Sequence, residues 1–235
     1  MDLLQRNHQL LLKGINCTFL RYLHARIEWE DRLIGIFGSR GVGKTTLLLQ
    51  HIKLKFEDSR EALYVNLDDF WFETHSLTDA VKEFLQAGGH YLFLDEIHFY
   101  SGWMEEVSTL LDANPALKIV FATTSLYSQT EVRNGLRHEA AFYVMHPMSF
   151  REFLSYESIL DKDPIPLEDI LANHHDLVKE INAEMNIVPI YRNYLEHGCY
   201  PFYWQDPDMY YFRLQELVRK EICRDLPSVV SISMS

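Results

Sequence analysis

Cysteine is scarce in this sequence: Cys17, Cys199 and Cys223 are the only three in 235 residues, and no two stand in C-x-x-C spacing. That excludes a disulfide framework and a cysteine-built zinc site, and the three read as reduced thiols. Long apolar runs are missing too. No span approaches the ~20 residues that a bilayer-crossing helix needs, and no basic stretch followed by an apolar run opens the chain. A soluble, cytoplasmic protein with no membrane partner is expected. Positive charge is in short supply, with 22 Lys and Arg against 34 Asp and Glu and a net charge of -12. Such a balance weighs against nucleic acid as a partner, because phosphate backbones need a basic face. There are eleven histidines, yet no H-x-E-x-H or H-x-x-x-H pattern sets His98, His138, His146, His174 or His175 at metal-binding spacing, so all are expected to be structural or on the surface. Internal repeats and low-complexity tracts are absent.

What is present is enough apolar residue, 47%, to bury one good core and a smaller appendage. Over residues 1–147 short β-rich runs alternate with helical patterns, the form taken by a parallel sheet with crossover helices. Five strands are predicted at 32–38, 62–68, 91–96, 118–124 and 141–146. Helices are predicted at 44–56, at 76–88 with Ser76 as cap, and at 103–115 with Pro115 as stop. An amphipathic leading helix is read in 2–23. After Pro147 the β-rich runs cease, and residues 148–235 read as a small helical module containing a Pro- and acid-rich connector at 161–169. The fold class expected is therefore α/β, a five-stranded parallel sheet sandwiched by helices and followed by that module.

The stretch Gly38, Ser39, Arg40, Gly41, Val42, Gly43, Lys44 and Thr45, followed by Thr46, fits G-x-x-x-x-G-K-[ST] between a predicted strand and a predicted helix, the Walker A position of a P-loop. Glycines let the backbone curl so that its N–H groups point inward, and the helix N-terminus adds positive potential where phosphates would sit. Lys44 is the candidate for the β- and γ-phosphates, and the Thr45 hydroxyl for Mg²⁺. In "YLFLDEIHF" four residues of a buried strand end in Asp95, a second candidate for the metal, and Glu96, a candidate base for an attacking water. Thr124 or Ser125, at the end of the fourth strand, could touch the γ-phosphate or that water. With no N-K-x-D pattern to read guanine, ATP is favoured over GTP. Asp68 and Asp69 end the second strand on the same side and read chiefly as a solvated strand end. The aromatics of 193–212 read as a small core or an interface.

Taken together, "YVNLDD" (64–69), "LDEIHFYSGWMEEVSTLLD" (94–112), "MHPMSFREFL" (145–154) and "YLEHGCYPF" (194–202) resemble the prokaryotic AAA-like P-loop ATPases of the AAA_14 and DUF4143 kind, within the additional-strand, catalytic-glutamate class. The resemblance implies a sheet order of 5-1-4-3-2, ATP with Mg²⁺, and a homo-oligomer or protein partner. Where similar chains read T-G-S-S, this one has Ala122, Thr123, Thr124 and Ser125. Many also carry an arginine shortly before the fifth strand to neutralise γ-phosphate charge, a role that falls here to Arg137 or Arg133. The chain also ends at a point where relatives continue, which reads as a shortened form. The function expected is Mg²⁺-dependent ATP binding and hydrolysis coupled to conformational change. Its alternatives are a nucleotide-gated interaction module with negligible turnover and a DNA-associated ATPase.

Overall fold

The structure, a computed structural model, describes residues 2–56, 60–124 and 126–229. It divides into two compact units, residues 1–146 with 211–235, and residues 147–210.

The first unit is built on five strands: β1 (Leu33–Phe37), β2 (Ala62–Asn66), β3 (Tyr91–Asp95), β4 (Lys118–Thr123) and β5 (Ala141–Val144). All pairings are parallel and the order is β2-β3-β4-β1-β5, the order the family resemblance implies. β1 is buried from end to end, as is β4 beyond its first residue. A continuous Leu-Ile-Gly-Ile-Phe run suits that place, because a central parallel strand has helices on both of its faces. The crossovers are α2 (Lys44–Lys55), α3 (Leu77–Gln86), α4 (Trp103–Ala113) and α5 (Gln129–Gly135). α3 starts at the expected cap: Ser76 accepts from the Asp79 N–H, and the Asp79 side chain accepts from Ser76 in return. The packed interior gathers Leu33, Phe37, Leu63, Leu92, Val107, Leu111, Ile119 and Phe121, each at most 2% exposed.

Three elements depart from the sequence reading. The leading helix α1 covers only Asp2–Gly14; beyond Gly14 the Asn16 side chain accepts from the Thr18 N–H at 2.7 Å, a local turn that competes with helix. α1 serves the sheet, since His8 Nδ1 accepts from the backbone N–H of Tyr64 at 3.1 Å, satisfying a donor of the outer strand β2. α5, for which no helix is predicted, opens on a reciprocal cap between Ser128 and Glu131; the S-x-x-E spacing in "SQTE" was the signal available. Finally, the last helical stretch of the predicted module is not one α-helix. It comprises α9 (Tyr210–Lys220), a π-helical turn (Glu221–Asp225) and α10 (Leu226–Val229). Pro227 lacks the N–H that an α-helical ladder would direct at Cys223, and widening the preceding turn accommodates that loss. Among the described residues, 211–229 group with the α/β unit.

The second unit holds α6 (Phe150–Tyr156), α7 (Leu167–Glu184), α8 (Ile187–His197) and two 3₁₀ turns (Pro201–Gln205 and Pro207–Met209). α6 is capped reciprocally by Ser149 and Glu152. Its interior is aromatic: Phe153 lies 5.5 Å from Tyr194 and 5.7 Å from Trp204 between ring centroids, and Phe150 lies 5.1 Å from Tyr191. Of the aromatics read in 193–212, Tyr194 and Trp204 thus pack on Phe153, whereas Tyr211 and Phe212 are exposed. Among the described residues no helix is long and apolar enough to cross a membrane.

Candidate functional site

All strands run the same way, so everything that follows a strand gathers at one edge of the sheet, where open α/β proteins place their ligands. The 38–43 loop leaves β1 there. Its shape is held from two sides: Gly38 N–H donates to Thr123 O at 3.2 Å, and Met145 N–H donates to Phe37 O at 2.7 Å. A Cβ on residue 38 would sit 2.6 Å from Met145 O, so only glycine fits. Gly43 has φ 100° and forms the N-cap of α2 without any side-chain cap. The first-turn N–H groups of α2 are therefore left for another acceptor, the arrangement that binds anions at helix N-termini. Arg21, buried and outside the motif, donates to Val42 O at 2.6 Å and to His146 O at 2.7 Å. It clamps the loop to the end of β5.

Around this loop the predicted side chains converge. Lys44 is buried and donates to Gly38 O at 2.7 Å and Ser39 O at 3.1 Å. Burial holds its pKa below the ordinary lysine value, against the pull of Glu96 and Asp95. Thr45 Oγ1 donates to Asp95 Oδ2 at 2.5 Å, and Tyr64 Oη donates to the same oxygen at 2.8 Å. The second carboxylate oxygen of Asp95 accepts from Glu96 N–H at 2.9 Å. Burial, then the Asp95 charge, pushes the Tyr64 phenol well above its usual range, so it stays a donor.

Glu96 is one of two non-glycine residues with positive φ (51°) among the described ones. That conformation is disfavoured for a side-chain-bearing residue. Burial first, and the Asp95 charge second, raise its pKa against Lys44 and Arg40. A group so placed is easier to protonate than a free glutamate, as a proton acceptor in a site must be.

The Thr45 hydroxyl and the Asp95 carboxylate meet at hydrogen-bonding distance, and among the described residues no cluster of three or more His, Cys, Asp or Glu is available for a metal. Two oxygen donors with no all-protein cage are what Mg²⁺ takes when phosphate and water complete its shell. The residues present fit the ion. Thr123 Oγ1, buried at the end of β4, has no hydrogen-bond partner, which leaves a spare donor beside the loop.

A family model described as an AAA domain, AAA_14, matches residues 30–154, more than half of the chain. The chain belongs to the AAA_14 family. Among curated proteins none matches it. Two solved structures are similar to this AAA_14 domain. PCH-2 from C. elegans is 14% identical with a TM-score of 0.36, over 71% of this chain and 49% of that one. AMPPCP-bound DnaA from Aquifex aeolicus is 18% identical with a TM-score of 0.35, over 72% of this chain and 57% of that one. The chain thus spans about half the length of each.

Not every predicted residue of the AAA_14 site comes to the loop. Ser39, Arg40, Gly41 and Val42 line it, Thr46 is exposed on the first turn of α2, and Thr124 is buried just beyond β4, its hydroxyl accepting from Leu126 N–H at 3.4 Å. Ser125 lies outside the described residues. Arg137 is not brought there. It precedes β5, hence lies at the opposite edge of a parallel sheet, and its guanidinium donates to Asp112 Oδ2 at 2.9 Å and Thr109 Oγ1 at 3.2 Å. Asp112, near the C-terminal end of α4, belongs to that far edge. Arg133 stacks over Phe142, 4.9 Å from the ring centroid. Asp69 caps a 3₁₀ turn by accepting from Trp71 N–H.

Sequence reading missed the neighbours of Glu96. Arg40 Nη1 lies 3.6 Å from one of its oxygens and His98 Nε2 lies 3.5 Å from the other. Both ring nitrogens of His98 are buried without a hydrogen bond. Arg40 is also held in a fork by Asp225, at 3.0 and 2.7 Å. Burial works against its charge, but Asp225 and Glu96 outweigh that and raise its pKa. Arg40 was legible as a loop residue; its partner, 185 positions away, was not.

Proposed function

We propose that this AAA_14 domain binds ATP with Mg²⁺ and hydrolyses it, with release of phosphate changing the conformation of the chain. Family membership supports nucleotide binding and an ATPase in general. The observation that carries the finer reading is the meeting of Thr45 with Asp95 at 2.5 Å beside a buried Lys44 and a strained Glu96.

In this reading the loop N–H groups and Lys44 hold the phosphates, giving up the loop carbonyls that Lys44 now contacts. Thr45 and Asp95 hold Mg²⁺, with Tyr64 fixing the orientation of the carboxylate. When bound, the ion neutralises charge that builds on the phosphate oxygens. Glu96 accepts the proton of the attacking water, and its raised pKa favours that transfer. Thr123 or Thr124 supplies a hydroxyl at the edge of the site. Arg137 acts on a neighbouring copy, because its own loop lies across the sheet. ATP and such a copy are the partners of this reading, in the cytoplasm.

The test is Mg²⁺-dependent phosphate release from ATP. Glu96→Gln is expected to retain binding and lose about 100-fold or more in turnover, the range of a removed general base. Unchanged turnover in Glu96→Gln would remove the hydrolytic role. One observation favours a second reading, a nucleotide-gated module with negligible turnover. Both carboxylate oxygens of Glu96 are already engaged, one near Arg40 and the other near His98, and wild-type turnover no faster than that of Glu96→Gln would select this reading.

A further inference from the structure

The last described stretch of the chain reaches the edge of the nucleotide site. From the π-helical turn Glu221–Asp225, two consecutive side chains point into the first unit. Asp225 is 1% exposed. Its carboxylate takes the Arg40 guanidinium bidentately and lies 3.9 Å from His98 Nε2. Burial would raise the Asp225 pKa, but the facing His98 and the Arg40 fork prevail and hold it down to about 2. Arg224 pairs with the Asp68 carboxylate at the end of β2 and lies 4.4 Å from the centroid of the Phe99 ring, a carboxylate-and-aromatic seat for a guanidinium. That seat belongs to a cleft of about 680 Å³ lined also by Asp69, Phe70 and Tyr100.

Arg40 belongs to the phosphate loop, and it is the loop residue that faces Glu96. A guanidinium in that position has donors in the fork that suits a phosphate as well as a carboxylate. In this structure the fork is filled by Asp225. The negative charge of Asp225 also acts on Lys44. A buried, paired acid thus stands at the phosphate end of an anion site, and it belongs to a segment whose other prong, Arg224, sits in a seat of its own.

We propose that Arg224 and Asp225 are a resident occupant of the nucleotide site. Asp225 competes with the γ-phosphate of a nucleoside triphosphate for Arg40, so that a triphosphate, and not a diphosphate, releases the C-terminal segment. This rests on the nucleotide reading above and adds a regulator to it. While Asp225 holds Arg40, it also fixes the cation that neighbours Glu96, which links the position of the segment to the readiness of the base.

The experiment uses the full chain as wild type, Asp225→Asn, Arg224→Gln and Lys44→Ala. MgATP and MgADP are titrated calorimetrically, and hydrogen exchange is followed in peptides covering 221–227. Asp225→Asn is expected to bind ATP about tenfold tighter, the scale of one charge-assisted hydrogen bond no longer opposed, with ADP affinity changed less than about twofold. In wild type, ATP but not ADP speeds exchange in 221–227. Arg224→Gln leaves Asp225 in place and loosens its support. It is expected to tighten ATP by about threefold, and it answers the question should Asp225→Asn not fold. Equal ATP affinity in wild type and both C-terminal variants, with exchange unmoved by ATP, overturns the proposal while ATP binding lost only in Lys44→Ala keeps the nucleotide reading. ATP binding absent from wild type and Lys44→Ala alike removes both.

Discussion

The two units solve the problem of burying apolar surface in opposite ways. In the α/β unit the central strands are buried on both faces, and Ile34, Phe93, Phe121 and Leu111 are fully enclosed. In the 147–210 unit neither α7 nor α8 has a buried residue, and Leu171 and Leu195 are 72% and 60% exposed. One unit is organised by a backbone ladder, which gives every side chain a fixed neighbour. The other rests on a few aromatic contacts around Phe153 and on end caps. The contrast separates where the chemistry is held from where it is not: each predicted phosphate- or metal-binding residue stands on the ladder-built unit, where positions are set to fractions of an ångström by packing.

The largest effect that sharpens this contrast is on stability. Phe121→Ala is expected to cost about 3–5 kcal/mol in chemical denaturation, as an aromatic removed from a closed core does, whereas Leu171→Ala should stay within about 0.5 kcal/mol. Similar costs for the two would erase the distinction. Next comes binding. Lys44→Ala is expected to weaken ATP by about 100-fold or more, the scale of a truncated buried charge contact, while Phe153→Ala leaves ATP affinity within about twofold; fluorescence titration of both variants decides whether the chemistry is confined to the first unit.

A smaller effect concerns pH. Burial holds His8 neutral, with its pKa lowered from 6.5 to about 4. Between those values the unfolded chain binds a proton that the folded chain does not, so the stability that His8 contributes is complete above pH 6.5 and is lost as pH falls toward 4. The thermal midpoint of the α/β unit should drop over that window. His8→Asn, whose side-chain oxygen can still accept from Tyr64, should flatten the drop. The smallest effect belongs to the helical unit: Ser149→Ala removes the cap of α6 and should cost about 1 kcal/mol, read by thermal unfolding monitored at 222 nm.

Much of the first unit was legible because its signals are local. Apolar runs such as "RLIGIFG" and "YLFLDE" report their strands directly, and the loop glycines report backbone shapes that other residues resist. Lys44, Thr45, Asp95 and Glu96 were legible for the same reason, since Lys44 and Thr45 close the glycine motif at the start of α2 and Asp95 and Glu96 follow the apolar run of β3. Three things were not. α5 is only seven residues long and signals itself through its cap alone. The π-turn arises from Pro227 acting backward on a helical pattern that looks regular. Arg137 and Asp225 exchange expectations: Arg137 precedes a strand that points it away from the loop, while Asp225, in a stretch read only as part of a helical module, arrives from the far end of the chain. Proximity that depends on chain reversal leaves no periodic trace.

Arg21 bears on how portable this loop is. A buried guanidinium seventeen positions before the first loop glycine ties Val42 to the carbonyl of His146. The eight-residue signature is therefore an incomplete instruction set. Grafted into another strand-to-helix junction it would bring its glycines and its lysine without the clamp that sets their curvature, so the heritable unit of this site extends at least from Arg21 to His146.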